Sequence, residues 1–191
     1  MINDTALVMC LAALLFSSCG QQMKMVKTAK TDSLAVHAFS SPIFGPAALL
    51  VEGHVHYLRS PVLRNVLPLP QQTLHKVAML EASLSADTLI VENILTLGYD
   101  GLVIAGFGAG HVSEKWTTVI ETIAGKIPVI IATRTGSGST AQESYGFVGS
   151  EMDLIRKGAH MAGFLCPRKA RILLWLLIGC QRQDELACYL E

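Results

Sequence analysis

An apolar run that breaks into a glycine-spaced loop and then into an amphipathic segment occupies the middle of this sequence. Residues 102–105 form the run, glycines alternate with other residues over 106–110, and His111 is the polar side chain that the loop carries. From Ser113 onward apolar residues recur at helical spacing, at 116, 119, 120 and 123. The pattern predicts a strand, a loop and a helix. Ligands of open α/β sheets bind at the carboxyl ends of strands, so His111 is placed where a binding side chain is expected.

Strands and helices alternate through the second half of the chain. The predicted strands are residues 77–80, 102–105 and 127–133, and the predicted helices are 85–97, 113–124, 150–157, 169–178 and a short one from Asp184. Ser150 with Asp153 resembles a capping box at the start of its helix. Short connections between alternating strands and helices predict an α/β fold, a small parallel sheet with flanking helices and right-handed crossovers.

The sequence upstream of residue 75 follows other patterns. Residues 25–39 indicate a strand or an irregular connector, and the Ser-, Pro- and Gly-rich residues 40–46 interrupt it. A β-hairpin is predicted around Glu52 and Gly53, and three prolines predict a linker over 59–72. We therefore divide the chain into residues 1–50, a hairpin and linker at 51–74, and an α/β domain at 75–191.

Charge and cysteine usage exclude several classes of function. Lys plus Arg and Asp plus Glu number 15 each, so no basic surface points to nucleic acid. The five cysteines have no metal-binding spacing, and an odd number argues against a disulfide framework. Cys180 and Cys188 are interpreted as small core residues. Hydrophobic residues make up 51% of the chain, so it either buries much of its surface or exposes apolar patches to a partner.

The N-terminal residues are open to two interpretations. Residues 5–16 are apolar and of signal-peptide length, and Cys19 follows as in a lipoprotein cleavage site. However, no Lys or Arg precedes the run, and Asp4 stands where positive charge belongs. The run is also too short to span a bilayer as a helix. We interpret it as a buried helix of a truncated domain and expect a cytoplasmic location, with export as the alternative.

Two side chains are candidates for a ligand site. His111 qualifies by its position at a strand end. Glu151 puts a carboxylate at a helix N-terminus after a flexible loop, where compensation of the helix dipole is its alternative role. His54 and His56 face the same side of a predicted strand, but no third ligand stands nearby, so an exposed hairpin face is favoured over a metal site.

No complete catalytic set is visible. The glycine loop lacks G-x-G-x-x-G spacing and a following acidic residue, and no phosphate-binding Gly-Lys-Ser/Thr is present. A Ser-His-Asp elbow, an H-E-x-x-H motif and paired helical carboxylates are also missing from the sequence. The polar loop 134–150 is bracketed by Arg134 and Tyr145, which are expected to fix it by hydrogen bonds.

Four ordered motifs resemble the C-terminal part of bacterial L-asparaginases, the threonine-nucleophile asparaginase/glutaminase family. They are GLVIAGFGAGH at 101–111, IPVIIATRTGSG at 127–138, YGFVGSEMDL at 145–154 and AGFLCPRKAR at 162–171. More weakly, KTAKT at 27–31, AFSSP at 38–42 and Gly45-Pro46 resemble the end of that family's N-terminal domain. GHVHYLRSP at 53–61 resembles its interdomain segment. Residues 1–23 do not align.

The resemblance implies hydrolysis of L-asparagine to L-aspartate and ammonia through an acyl-enzyme, without metal or cofactor. In that family the N-terminal domain carries the nucleophile in Thr-Gly-Gly-Thr and its activators in Gly-Thr-Asp-Thr, and neither motif occurs here. No catalytic residue is therefore assigned, and the chain alone is expected to be inactive. His111 falls where many members carry Asn, and Glu151 matches the acidic residue that reaches toward the substrate's α-ammonium across a dimer interface.

The resemblance also implies partners. The expected ligand is L-asparagine or L-glutamine, and the expected assembly is a homo-oligomer or pairing with a full-length asparaginase. The alternative is a non-catalytic small-molecule-binding or interaction domain that pairs with a full-length paralogue.

Overall fold

The structure, a computed structural model, describes residues 29–30, 33–34, 39–40, 45–59 and 66–190, and the chain divides into two units, Met1–Val66 and Leu67–Glu191. In the first unit β1 (Ala29–Lys30) pairs antiparallel with β2 (Phe39–Ser40), and β3 (Ala48–Val51) pairs antiparallel with β4 (His54–Tyr57). Glu52 and Gly53 make the turn between β3 and β4, both with positive φ. The predicted hairpin is confirmed.

The second unit is a parallel sheet flanked by helices. Its strands are β5 (Val77–Glu81), β6 (Gly101–Gly106), β7 (Val129–Thr133) and β8 (His160–Met161), which lie side by side in that order. Its helices are α1 (Leu89–Glu92), α2 (Glu114–Ala124), α3 (Glu151–Arg156), α4 (Pro167–Gly179) and α5 (Leu186–Leu190), with a 3₁₀ turn at Gln183–Glu185. The predicted α/β class, a small parallel sheet with flanking helices, is confirmed.

The two central strands are buried along their whole length. Every residue of β6 and β7 is buried, which explains why both are continuous apolar runs in the sequence. On one face Leu102 and Ile104 belong to a core that also contains Ile120 and Ile123 of α2. On the opposite face Val103 is equally buried, and α4 packs against β5, β6 and β7.

The predicted helix over 85–97 is wrong in extent. Helical structure is confined to the single turn of α1, and turns follow it as far as Gly98. Ser85 has φ of 59°, in the left-handed region, so it cannot be part of a right-handed helix. The carboxylate of Asp87 accepts a hydrogen bond from the N–H of Leu89 at 3.0 Å, and the helical turn begins at Leu89 rather than at residue 85.

Strand β8 was not predicted. It has two residues, paired with Ile130 and Ile131, and so short a stretch carries no periodicity of its own. Two smaller expectations also change. Strand β7 begins at Val129 rather than at 127, and Cys188 is exposed, so the core assignment holds for Cys180 alone.

Candidate functional site

The glycine loop after β6 is a tight turn that holds His111 at the carboxyl end of the sheet. The N–H of Phe107 donates to the carbonyl of His111, and the N–H of His111 donates back to the carbonyl of Phe107, both at 2.8 Å. A Cβ at Gly106 would lie 2.7 Å from the carbonyl oxygen of His111. The turn therefore requires a glycine at 106, because the backbone of His111 lies too close to leave room for a side chain there.

The long loop 134–150 is held against the glycine loop by backbone hydrogen bonds. Ala141 donates to the carbonyl of Ala109 at 2.9 Å, and Val112 donates to the carbonyl of Gly149 at 3.0 Å. Gly149 has φ of +90°, and a Cβ on it would lie 2.3 Å from the carbonyl oxygen of Val112. The contact thus depends on glycine, and it brings the start of α3 beside His111.

Glu151, the first residue of α3, is fully buried and has both carboxylate oxygens occupied. Oε1 accepts from the N–H groups of Ser144 at 2.7 Å and Tyr145 at 2.5 Å. Oε2 lies 3.0 Å from Nε2 of His111, across 40 residues of sequence. The structure therefore brings the two predicted site residues together as one pair.

The surroundings of Glu151 favour its ionised form. Burial by itself would raise the pKa of Glu151, but the N–H groups of Tyr145, Glu151 and Ser144 and the ring of His111 outweigh it. The net effect is to lower that pKa below its ordinary value of 4.5. A fixed negative charge consequently stands behind the imidazole of His111.

Two aromatic rings enclose the imidazole. Tyr145 and Phe147 meet it edge-on, with ring centroids 4.9 Å and 5.0 Å away and interplanar angles of 79°. The side chain of His111 keeps 19% of its surface accessible. Phe147 was not anticipated from the sequence, because an aromatic residue in a loop has no periodicity that indicates which side chain it contacts.

Asp153 corrects the expected capping box. The hydroxyl of Ser150 makes no side-chain cap and is buried without a hydrogen-bond partner in the part of the chain that the structure describes. The carboxylate of Asp153 instead accepts from the N–H of Gly149 at 2.9 Å and from Nζ of Lys157 at 2.9 Å. Burial would raise the pKa of Asp153, but these donors lower it on balance. Asp153 therefore secures the contact of Gly149 rather than the first turn of the helix.

The two residues expected to fix the long loop do so by different means. Arg134 donates through Nη1 to the carbonyl of Ala82 at 2.8 Å, and its guanidinium lies 4.0 Å from the ring centroid of Phe107. Tyr145 is bound through its backbone N–H, as described above, rather than through its side chain.

His54 and His56 are exposed on β4. Among the described residues no group of three His, Cys, Asp or Glu side chains is placed to hold a metal ion. No helix within those residues is long and apolar enough to cross a membrane, and the apolar run at 5–16 lies outside them.

Comparisons with known proteins identify the family to which this chain is similar. Residues 76–187 match the family model described as the Glutaminase/Asparaginase C-terminal domain. A protein named Probable L-asparaginase periplasmic, from Haemophilus influenzae, is 30% identical over 155 residues, which are 78% of this chain and 43% of that protein. L-asparaginase 2 of Escherichia coli is 29% identical with the same coverage.

A solved structure is similar as well. The crystal structure of a probable cytoplasmic L-asparaginase from Campylobacter jejuni matches with a TM-score of 0.69 and 26% identity, over 89% of this chain and 52% of that one. The chain thus spans about half the length of the proteins that it matches.

Proposed function

The chain belongs to the glutaminase/asparaginase C-terminal domain family, and we propose that it supplies substrate-side residues to an L-asparaginase-type amidohydrolase. The reaction is hydrolysis of the side-chain amide of L-asparagine, or of L-glutamine, to the acid and ammonia. The observation that carries the proposal is the pair formed by His111 and the buried, ionised Glu151 at the carboxyl end of β6. An amino acid differs from a simple amide by its α-ammonium, and a fixed negative charge discriminates between the two.

The catalytic nucleophile comes from elsewhere in this proposal. The 191 residues contain neither Thr-Gly-Gly-Thr nor Gly-Thr-Asp-Thr, the motifs that the family uses for attack and activation. His111 and Glu151 are therefore assigned to substrate binding, with no metal or cofactor. The chain forms a homo-oligomer or pairs with a full-length asparaginase, and only the second assembly brings a nucleophile to the site across a subunit interface.

Binding of three ligands to the full chain tests this role. L-Asparagine and L-glutamine should bind, and succinamate, which is asparagine without its amino group, should bind at least about tenfold more weakly because one charge-assisted hydrogen bond contributes about 1.5–3 kcal/mol. His111→Ala should remove the discrimination, while the matched variant His54→Ala on the exposed hairpin should keep it. Equal binding of all three ligands, or discrimination that survives in His111→Ala, would contradict the proposal.

A second candidate function is a non-catalytic domain that pairs with a full-length paralogue. The observation that favours it is that both oxygens of Glu151 are satisfied inside this chain, so the residue has a structural role without any ligand. Native mass spectrometry of the chain mixed with a full-length asparaginase separates the candidates. A complex whose ammonia release does not depend on His111 supports pairing alone.

The location proposed for this chain is cytoplasmic. The similar Campylobacter structure, described as a cytoplasmic enzyme, supports it, whereas the similar Haemophilus protein is named periplasmic. Fractionation of cells expressing the full sequence decides between them, since export would put the chain in the periplasmic fraction.

A further inference from the structure

We propose that His54 and His56 are one half of a zinc site, and that a second copy of this chain supplies the other half. The inference is independent of the proposed function, because none of the residues that carry it belongs to the site around His111. It follows from the face of the hairpin on which the two imidazoles lie and from the residues that share that face.

The strand register places both imidazoles on one face of the hairpin formed by β3 and β4. His54 pairs with Val51, and His56 pairs with Leu49. Side chains alternate between the two faces of a strand and directly paired residues share a face, so these four residues form one surface, the histidine face. The opposite face has no imidazole or carboxylate and consists of Ala48, Leu50, Val55 and Tyr57.

Histidines at alternate positions of a strand lie close enough together to bind one ion. A strand rises about 3.3 Å per residue, so the Cα atoms of such a pair are about 6.6 Å apart. When both rings lean inward, one nitrogen of each can lie about 2.0–2.1 Å from a zinc ion. Both side chains are exposed, and neither has a hydrogen-bond or ion-pair partner among the described residues. Zinc binding therefore has no existing contact of the imidazoles to break there.

One chain offers too few ligands for zinc, and a second copy provides the rest. Structural zinc sites are tetrahedral with four ligands, whereas the described residues contain no third His, Cys, Asp or Glu placed beside the pair. A two-fold axis repeats the pair and gives four imidazole nitrogens, a ligand type that suits zinc. Two hairpins packed face to face are about 10 Å apart, so imidazoles from both copies can meet midway between them.

The other residues of the histidine face favour the same arrangement. Leu49 and Val51 are 45% and 48% exposed, and packing against their counterparts in a second copy would remove apolar surface from water. The face has no Lys, Arg, Asp or Glu, so two copies can approach without repulsion between like charges. A two-stranded hairpin is only marginally stable by itself, and covering one of its faces stabilises it.

The experiment is native mass spectrometry of the full chain, freed of metal with EDTA and then given Zn²⁺ alone. Zinc should double the mass of the metal-free species, with one ion bound for every two chains. His54→Ala and His56→Ala should each abolish the doubling. Each should also weaken zinc binding by at least about a hundredfold in competition with a chromogenic chelator, because loss of even an outer-shell partner costs about 10–100-fold. Tyr57→Ala, on the opposite face, is the matched control and should behave as the wild type does.

Three results would overturn the inference: no zinc binding, one zinc per chain without doubling of the mass, or doubling that persists in both alanine variants. The last result would assign the zinc to other ligands, such as the exposed Cys188. Because both histidines are exposed, the alanine variants should fold as the wild type does, which circular dichroism checks. Binding of L-asparagine tests the proposed function alone, so either proposal can fail without the other.

Discussion

His75 and His111 make similar contacts but differ in the chemistry of their hydrogen-bond acceptors and in their exposure. Each ring hydrogen-bonds through Nε2, at 2.7 Å to the carbonyl of Trp175 for His75 and at 3.0 Å to the carboxylate of Glu151 for His111. Each has an aromatic neighbour, Trp175 at 4.7 Å in the first case and Tyr145 at 4.9 Å in the second.

The difference lies in the acceptor and in the second nitrogen. Nδ1 of His75 is buried and has no hydrogen-bond partner among the described residues, so no ligand reaches it. The ring of His111 is partly exposed, and its Nε2 faces the negatively charged carboxylate of Glu151. His75 therefore packs the segment that enters the sheet domain against α4, whereas we propose that His111 contacts a ligand.

Removal of the Glu151 carboxylate should have the largest effect on the stability of the His111 region. Glu151→Ala leaves two backbone N–H groups without their acceptor in a buried position, and each such loss costs about 1–3 kcal/mol. We expect the free energy of unfolding to fall by about 3–5 kcal/mol in urea denaturation. The matched variant Glu121→Ala, on the exposed side of α2, should stay within about 0.5 kcal/mol. Similar losses in both variants would show that Glu151 does not hold the loop.

Gly149→Ala should disrupt the His111 region while leaving the His75 region intact. The new Cβ would clash with the carbonyl of Val112 and add left-handed strain, for a loss of about 2–4 kcal/mol. The control is Gly136→Ala, which has φ of +78° but open space around it, so that strain alone should cost about 1 kcal/mol. The histidine NMR signals should move at His111 and not at His75. Equal costs for the two glycines would refute the close docking of the long loop.

The pH dependence of stability distinguishes the charged acceptor of His111, the carboxylate of Glu151, from the neutral acceptor of His75, the carbonyl of Trp175. Because folding lowers the pKa of Glu151, its stabilising contribution is complete above its unfolded value of 4.5 and is lost as the pH falls through the lower, folded value. Glu151→Gln should therefore flatten the decline in unfolding free energy below pH 4.5. Asp153, whose pKa is lowered as well, should preserve part of that decline. An identical profile for wild type and variant would contradict an ionised Glu151.

Apart from the control variants, the smallest stability effect is expected at His75. His75→Phe keeps the ring contact with Trp175 and loses one hydrogen bond, but it also removes a buried nitrogen without a partner, so the net change should be within about 1 kcal/mol. Binding of L-asparagine should be unaffected in His75→Phe and abolished in His111→Phe. Loss of binding in both variants would mean that the two regions are not functionally distinct.

Much of the fold could be predicted because its core elements repeat with a period. The all-apolar strands β6 and β7 and the amphipathic helix α2 were anticipated to within two residues at their ends. The predicted helix over 85–97 is wrong in extent and the predicted capping box at Ser150 does not form, because both depend on single backbone angles and on which N–H groups a nearby carboxylate binds. Asp87 and Asp153 each bind a nearby N–H that a periodic pattern does not reveal.

By itself the sequence determined the α/β class and nominated His111 and Glu151, because alternation of apolar runs, glycines and caps is local information. Only the tertiary structure decided that these two side chains form one pair, that Glu151 is enclosed and that Phe147 borders the ring. The physical reason is that burial and hydrogen-bond partners depend on contacts between distant segments. Here that contact is the close approach of Gly149 to Val112, where the absence of a side chain lets the long loop dock.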